Sequence, residues 1–421
     1  MRSRAGFAGT KKRIYMHGRG NMQAVEIKKD IFWVGAVDYD TRDFHGYAYV
    51  PEGTSYNAYL IKDAKNVLFD SVSSSFAGAM LCRLAKALPL EKVDYIVCNH
   101  LELDHAGVLA ELVVRCKPEK IFCSQMGLKS MQGYFDCKDW PVQAVKNGES
   151  LNIGSRTLQF FETRMLHWPD SMASYIPEDK LLISNDAFGQ NIASTVRYAD
   201  EVSEECLRNA VEAYYYNIVL PFSPQVTSAL KALGGLDIDL IAPDHGLMFR
   251  GTQSVRYILD AYARLAEQKP QKRALVMYDS MWQSTKKMAY SVASGLEDAG
   301  VPSRVMSLKS NHHSEVMTEL ARCGAVLAGS PTHNNGVLPA MAGMLAYMQG
   351  LRPKNRVGGA FGSYGWSGES PKILHERLAS MDMEMPAPFV KIQWTPRHEG
   401  FGQCHALGKA VGQALVVKCG G

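Results

Sequence analysis

Four times in its first 250 residues this chain runs through a short apolar stretch and closes it in a turn that carries histidine or aspartate. Asp94-Tyr-Ile-Val-Cys98 leads straight into Asn99-His-Leu-Glu-Leu-Asp-His105. Leu158–Leu166 leads to His167, Leu181–Asn185 to Asp186, and Asp239–Asp244 to His245. Helical patterns lie between and around these runs, at roughly 76–88, 106–116, 203–216 and 224–233. Mixed elements of this kind indicate layered sheets flanked by helices. Ligands drawn from several strand ends to one sheet edge are how α/β sites are usually built. The repeated ending therefore constrains the fold and predicts a site of four histidines and three carboxylates.

The spacing within the first turn is informative. His100, Glu102 and Asp104 are two apart and share one face of an extended chain, with Leu101 and Leu103 expected to point the other way, into packing. Asp104 and His105 are adjacent, so a turn is needed for both to reach one cluster. Seven ligands exceed one tetrahedral ion and suit two metals bridged by a carboxylate. Glu102, Asp104 and Asp186 supply hard oxygen donors and three negative charges, which favours iron or manganese over imidazole-rich zinc chemistry.

The remaining features exclude whole classes. The chain has 421 residues, too many for one ordinary core and suited to two domains. No apolar run approaches the ~18 residues that span a bilayer, so a membrane is not an expected partner; no nucleic-acid partner is expected either. The nine cysteines form no CxxC pair, which argues for reduced thiols in the cytoplasm and against a built-in zinc or rubredoxin-type site. Residues 1–21 carry six basic and no acidic residues without an apolar core. They read as a leader or disordered extension, with Met22 the expected start. Residues 22–270 have a net charge of −8, and residues 271–421, with 16 basic and 10 acidic residues, have +6. The boundary falls in the polar stretch Glu267-Gln-Lys-Pro-Gln-Lys-Arg273, between a helical pattern at Ser254–Ala266 and a strand at Ala274–Tyr278. The expected domains are 22–268 and 272–421.

The second region reads as a doubly wound α/β unit with three ligand loops at successive strand ends. Strand Ala274–Tyr278 leads into Asp279–Thr285 and a helix from Lys286 to Asp298. Hydroxyls and N–H groups at a helix start cradle an anion, so Ser280, Ser284 and Thr285 are candidates for a phosphate, with Met281 and Trp282 alongside. Strand Ala325–Gly329 leads to Ser330, Pro331, Thr332, Asn334, Asn335 and Gly336. Strand Val357–Phe361 leads to Ser363, Tyr364, Gly365 and Trp366. Small residues there allow close approach to a ring, Trp366 is a candidate to stack on it and Asn334 to hydrogen-bond it. The first loop is not a G-x-G-x-x-G fingerprint, so FMN is favoured over a dinucleotide. His312 and His313 read as exposed loop residues at a helix start, Tyr214-Tyr-Tyr216 as helix packing, and His333 as either a flavin contact or a solvated residue.

At these residues the chain resembles the flavodiiron proteins, most closely the rubredoxin:oxygen oxidoreductase type, from about Met22 to the C-terminus. The carrier is the H-x-E-x-D-H motif at His100–His105, with glutamate where zinc hydrolases show histidine. His167 in Met165-Leu-His-Trp-Pro-Asp-Ser171 and His245 in Ala242-Pro-Asp-His-Gly246 have family-like contexts. The resemblance implies a metallo-β-lactamase-like αββα domain followed by a flavodoxin-like domain. It implies one iron on His100, Glu102 and His167, a second on Asp104, His105 and His245, and Asp186 bridging. It implies electrons passing from rubredoxin through FMN to the irons, reducing dioxygen to water or nitric oxide to nitrous oxide. It further implies a head-to-tail homodimer, possibly a dimer of dimers. Selectivity between the gases would lie near Trp168 and Tyr198. The rivals are a metallo-hydrolase with an accessory flavodoxin-like domain, which Glu102 argues against, and an electron-carrier or gas-sensing protein.

Overall fold

The structure, a computed structural model, describes residues 22–420; the basic segment 1–21 and its reading as a leader lie outside the described residues. The first half is built on two sheets stacked face to face. One has the order Val25–Lys28, Ile31–Trp33, Tyr59–Ile61, Val67–Phe69, Tyr95–Cys98, Lys120–Ser124, Val142–Val145. The other runs Ser150–Asn152, Thr157–Glu162, Met172–Ile176, Leu181–Ile183, Leu240–Ala242, Phe249–Arg250.

Period-two alternation decides which layer each side chain joins. Tyr59, Ile61, Phe69 and Val97 pack between the sheets with Phe160, Met172, Ile183 and Leu240. Their neighbours Leu60, Leu68 and Ile96 pack outward against Met80, Leu84 and Leu112 of the helices Ala77–Ala87 and Leu109–Cys116. On the far side Tyr175, Leu182 and Ile241 cluster with Val211, Leu233 and Tyr262 of three more helices. This is the expected αββα layering. Thr157–Glu162 and Leu181–Ile183 are both antiparallel to Met172–Ile176, and Leu240–Ala242 is parallel to Leu181–Ile183. Their C-terminal ends therefore share one edge, and the ligand candidates follow from those ends.

The second half is an all-parallel five-stranded sheet in the order Ser303–Ser307, Ala274–Tyr278, Ala325–Gly329, Val357–Tyr364, Val390–Gln393. That is the flavodoxin-like 2-1-3-4-5 winding, whose ligand crevice lies outside the strand carboxyl ends at the switch point. Two boundaries differ from the sequence reading. The first helix starts at Ser284 rather than Lys286. The fourth strand runs to Tyr364 rather than Phe361, because Gly362, Ser363 and Tyr364 pair with Lys391, Ile392 and Gln393 of the edge strand.

The two halves meet in a polar seam. Glu212 and Asn209 receive Arg322 at 2.7 and 2.9 Å, and Asn217 bonds Thr318 and Tyr347. Arg356 is buried with no carboxylate among its partners. Its guanidinium donates to the carbonyls of Gln268, Lys354 and Ala321. The nine cysteines are free thiols. No helix is long and apolar enough to cross a membrane among the described residues.

Candidate metal centre and flavin pocket

Strand Tyr95–Cys98 ends beside Asp70, whose carboxylate accepts from the Asn99 and His100 N–H groups at 2.7 and 3.3 Å and from the Asn99 amide at 2.8 Å. The chain then turns into a single helical turn, Leu103–Ala106. That turn brings the adjacent Asp104 and His105 into one cluster. It also corrects one expectation. Leu101 is buried as foreseen, but Leu103 is 48% exposed, because the extended alternation stops where the helix begins. On the other side, Gly246 at φ +78 lets the chain turn away directly after His245; a side chain there would collide with Gln190.

The seven candidates converge as two groups. His100, Glu102, His167 and Asp186 form one, and Asp104, His105 and His245 the other, with ligand atoms in each group within 4.8 Å of one another. Asp186 faces both. Its Oδ2 lies 2.9 Å from His167 Nε2 and 3.7 Å from His100 Nε2, and its Oδ1 lies 3.0 and 3.4 Å from His105 and His245 Nε2. Glu102 Oε2 is 3.4 Å from Nε2 of both His100 and His167. His105 and His245 point Nε2 at Nε2 across 3.1 Å. Two donors bound to one ion at ~2.1 Å sit about 3.0–3.4 Å apart, and most of these separations fall in or next to that range. The buried Asp104 Oδ1 and Oδ2 and Asp186 Oδ1 make no hydrogen bond. Buried orphans cost free energy unless something fills the space between them, so the residue set fits two metal ions.

The far ring nitrogens are tethered. His100 Nδ1 is 3.2 Å from Asp170, and His245 Nδ1 is 2.7 Å from the Ser55 carbonyl. His105 Nδ1 faces Asp244 across 3.7 Å, an ion-pair contact without a hydrogen bond. Such partners fix the tautomer and ring orientation of metal-binding histidines. Electrostatics in the protein without ions are severe. Burial would lower the His105 pKa, but the charges of Asp104 and Asp186 outweigh it and lift it to about 10. Burial opposes ionisation of Glu102 and Asp186, but the surrounding imidazoles overcome it, and both pKa values fall far below the usual range.

Sequence reasoning missed His45. It sits at the tip of the hairpin Asp43–Phe44/Ala48–Tyr49, with its ring 3.2 Å from both Glu102 Oε1 and Asp104 Oδ2. Nothing in a lone Phe-His-Gly marks it. Asp170 and Asp244 were missed as tethers, though each stands within three residues of a ligand histidine. Trp168 lies edge-on to His100 at 5.3 Å, whereas Tyr198 lies under Arg250, its ring centroid 3.8 Å from the guanidinium carbon. Tyr214, Tyr215 and Tyr216 are buried packing residues, and Tyr214 also approaches the His245 ring at 6.0 Å.

The three loops of the second half enclose a cavity of about 520 Å³. Ser280, Met281, Trp282, Ser284, Pro331, Thr332, Asn334, Asn335, Ser363, Tyr364, Gly365 and Trp366 line it, together with the unforeseen Trp394 and Thr395, which follow the edge strand. Ser330 and Thr285 stand behind the wall. Ser330 accepts from the Leu338 N–H, and Thr285 Oγ1 is 3.0 Å from Ser363 Oγ. Gly336 pairs with His333, which is exposed. Ser280 Oγ is buried without a partner, beside a helix start whose first N–H groups have no intrahelical acceptor. An anion at that point satisfies both, so the pocket fits a phosphate-bearing ligand. Trp282 and Trp366 stand almost fully exposed at its mouth.

A buried two-metal cluster on a β-lactamase-like sandwich, joined to a flavin pocket on a flavodoxin-like sheet, defines a class of redox proteins. Family models agree in both halves: the ODP family beta lactamase matches residues 54–246 and Flavodoxin matches residues 276–408. The chain is 49% identical to a rubredoxin-oxygen oxidoreductase of Megalodesulfovibrio gigas, over 94% of this chain and 99% of that one. It is 42% identical to a nitric oxide reductase of Moorella thermoacetica, over 94% and 99%. The crystal structure of the flavodiiron protein from Giardia intestinalis matches with a TM-score of 0.90 at 33% identity, over 94% of this chain and 98% of that one. The chain belongs to the flavodiiron protein family.

Proposed function

We propose that this protein is a cytoplasmic oxidoreductase that takes electrons from a rubredoxin-type donor and reduces dioxygen to water, nitric oxide to nitrous oxide, or both. One observation carries the reading: Asp186 turns one carboxylate oxygen to each of two ligand groups. A carboxylate so placed can serve both groups, and the seven residues would hold two iron ions, Asp104, His105 and His245 one and His100, Glu102 and His167 the other. The pocket between the three loops would hold FMN. When bound, flavin and iron supply the electron transfer and the binding of the gas.

The chain's own residues supply the setting. Asp170, Asp244 and the Ser55 carbonyl hold the imidazoles in register, so the ligands need no rearrangement to bind metal. Ser280 and the start of helix Ser284–Asp298 hold the phosphate. Tyr364, Gly365 and Trp366 flank the ring. The +6 charge of residues 271–421 supports docking of an acidic donor there. The boundary between the halves lies in 269–271. The opposite charges support a head-to-tail homodimer in which each flavin serves the partner's irons.

The test is anaerobic turnover of the iron- and FMN-loaded protein with reduced rubredoxin, adding each gas in turn. Oxidation of the donor on addition of either gas is the expected outcome. One zinc per chain, no flavin and esterase or lactamase activity would establish the hydrolase reading instead.

A further inference from the structure

The hairpin that carries His45 is too small to hold itself in place. It has two strand pairs, Asp43 with Tyr49 and Phe44 with Ala48, and an isolated two-stranded ribbon is marginal even when longer. Its turn places His45 at φ +54 and Gly46 at φ +79, the class that needs positive φ at both central residues. A histidine in that region is uncommon and is kept there by its surroundings. Yet the hairpin tip is placed closely: the Phe44 ring stacks on His45 at 3.9 Å and meets His245 edge-on at 5.3 Å. Tyr47 is half-buried near Glu102, and desolvation, then that charge, lift its pKa beyond the ordinary phenol range.

Beside these contacts with the first half, the hairpin is held from the other half of the chain. His313, the first residue of helix His313–Ala321, bonds through Nε2 to the Tyr47 carbonyl at 2.7 Å. A carbonyl only accepts, so Nε2 carries the proton. The His313 ring is steadied edge-on against Tyr347 at 4.8 Å. One residue on, the Tyr49 N–H donates to Ser314 Oγ at 2.9 Å. That hydroxyl in turn lies 2.8 Å from His312 Nδ1. The same Nδ1 accepts from the Ser314 N–H as the helix cap, so it is an acceptor and the hydroxyl proton points to it. Ser314 Oγ is thereby left as an acceptor for Tyr49. His312 is exposed at the helix start as expected and serves as its cap; His313, expected to be an exposed loop residue there, is the half-buried first residue of the helix and an interdomain contact.

The geometry points to His313 and Ser314 as positioning residues: the flavodoxin-like half clamps, within one chain, the hairpin that lays His45 over the two carboxylates of the metal centre. The clamp means that the position of His45 depends on how the two halves sit against each other. It rests on the reading of the carboxylate cluster as the metal centre.

The test compares wild type, His313→Ala, His313→Gln and Ser314→Ala in the iron- and FMN-loaded protein. Glutamine keeps a donor for the Tyr47 carbonyl. Amide hydrogen exchange over residues 43–50 is expected to rise at least tenfold in His313→Ala and Ser314→Ala, with iron and FMN content unchanged. Turnover is expected to fall about fivefold in kcat with KM for the gas unchanged, and His313→Gln to recover at least half of both effects. Unchanged exchange in both deletion variants overturns the clamp. Raised exchange with undiminished kcat overturns its role in positioning. A wild type that reduces neither gas sinks the proposed function alone, since the exchange measurement still decides whether the hairpin is clamped.

Discussion

The metal cluster and the flavin pocket of this chain are built on opposite plans. The cluster is assembled by the fold itself: His100, His105 and His245 are essentially without solvent exposure, and their far nitrogens face Asp170, Asp244 and Ser55. Its orphaned oxygens are the cost of a site held open for ions. The flavin pocket has firm walls and an open mouth, with Trp282, Trp366 and Trp394 standing in solvent. Only its phosphate end has a buried, unpartnered donor, Ser280. The difference is instructive. A small ion must be met by donors already in place, because it has no surface of its own to organise them. A large planar ligand brings apolar area and can order its own lid.

If that contrast is right, single changes at the metal centre should be severe and those at the flavin graded. The harshest test is Asp186→Asn, which removes the charge between the two groups. We expect at least one of the two irons to be lost, turnover to fall more than hundredfold, and FMN to stay at one per chain, read by elemental analysis and flavin release. Full iron retention would break the comparison.

Next is Glu102→His, which swaps a hard, charged donor for imidazole and moves the site toward zinc hydrolase composition. The fold should survive, with iron content and oxygen reduction reduced about tenfold or more. Unchanged activity with iron retained would contradict the role assigned to Glu102.

A third test uses pH. In the protein without metal, His105 titrates near 10 rather than 6.5. A raised pKa contributes stability that is complete below pH 6.5 and is lost as pH rises through about 10. The melting temperature of the metal-free protein should therefore fall across that window, while the loaded protein should lose this dependence. Loading at pH 7 should release protons, and affinity should weaken about tenfold per pH unit for each proton displaced as pH falls. Proton-neutral loading would show that the cluster is not charged as described.

The mildest effect is expected at the flavin. Ser280→Ala removes one hydrogen bond to a charged group, worth about 1.5–3 kcal/mol where it is fully formed. The FMN dissociation constant should rise about tenfold, with iron content unchanged. An unaltered constant would move the phosphate away from Ser280.

Much of this was legible in the sequence, for a reason visible in particular residues. The strands Ala274–Tyr278 and Ala325–Gly329 are buried on both faces of a parallel sheet, so they read as unbroken apolar runs with clear ends. The metal ligands stand at such ends and inherit that clarity. What escaped depends on contacts between distant segments. His45 reaches Glu102 and Asp104 across more than fifty residues, and Trp394 joins the pocket only because the strand before it pairs at the sheet edge. Leu103 turned outward because a helical turn interrupts the period-two pattern, which no count of apolar residues reveals. His313 and Ser314 have meaning only once two halves of the chain meet.

The buried guanidinium of Arg356 has a last consequence, for recombination. Its charge is balanced by main-chain oxygens from the connecting segment, at Gln268, and from the far end of helix His313–Ala321, at Ala321. Gln268 closes the first half, whereas Ala321 and Lys354 belong to the second. A chimera that grafts this first half onto a free-standing flavodoxin would have to transplant Gln268 and Arg356 as a unit. Moving the second half without that segment would leave a buried cation short of one of its three acceptors, a defect that no compatibility between the two cofactors could repair.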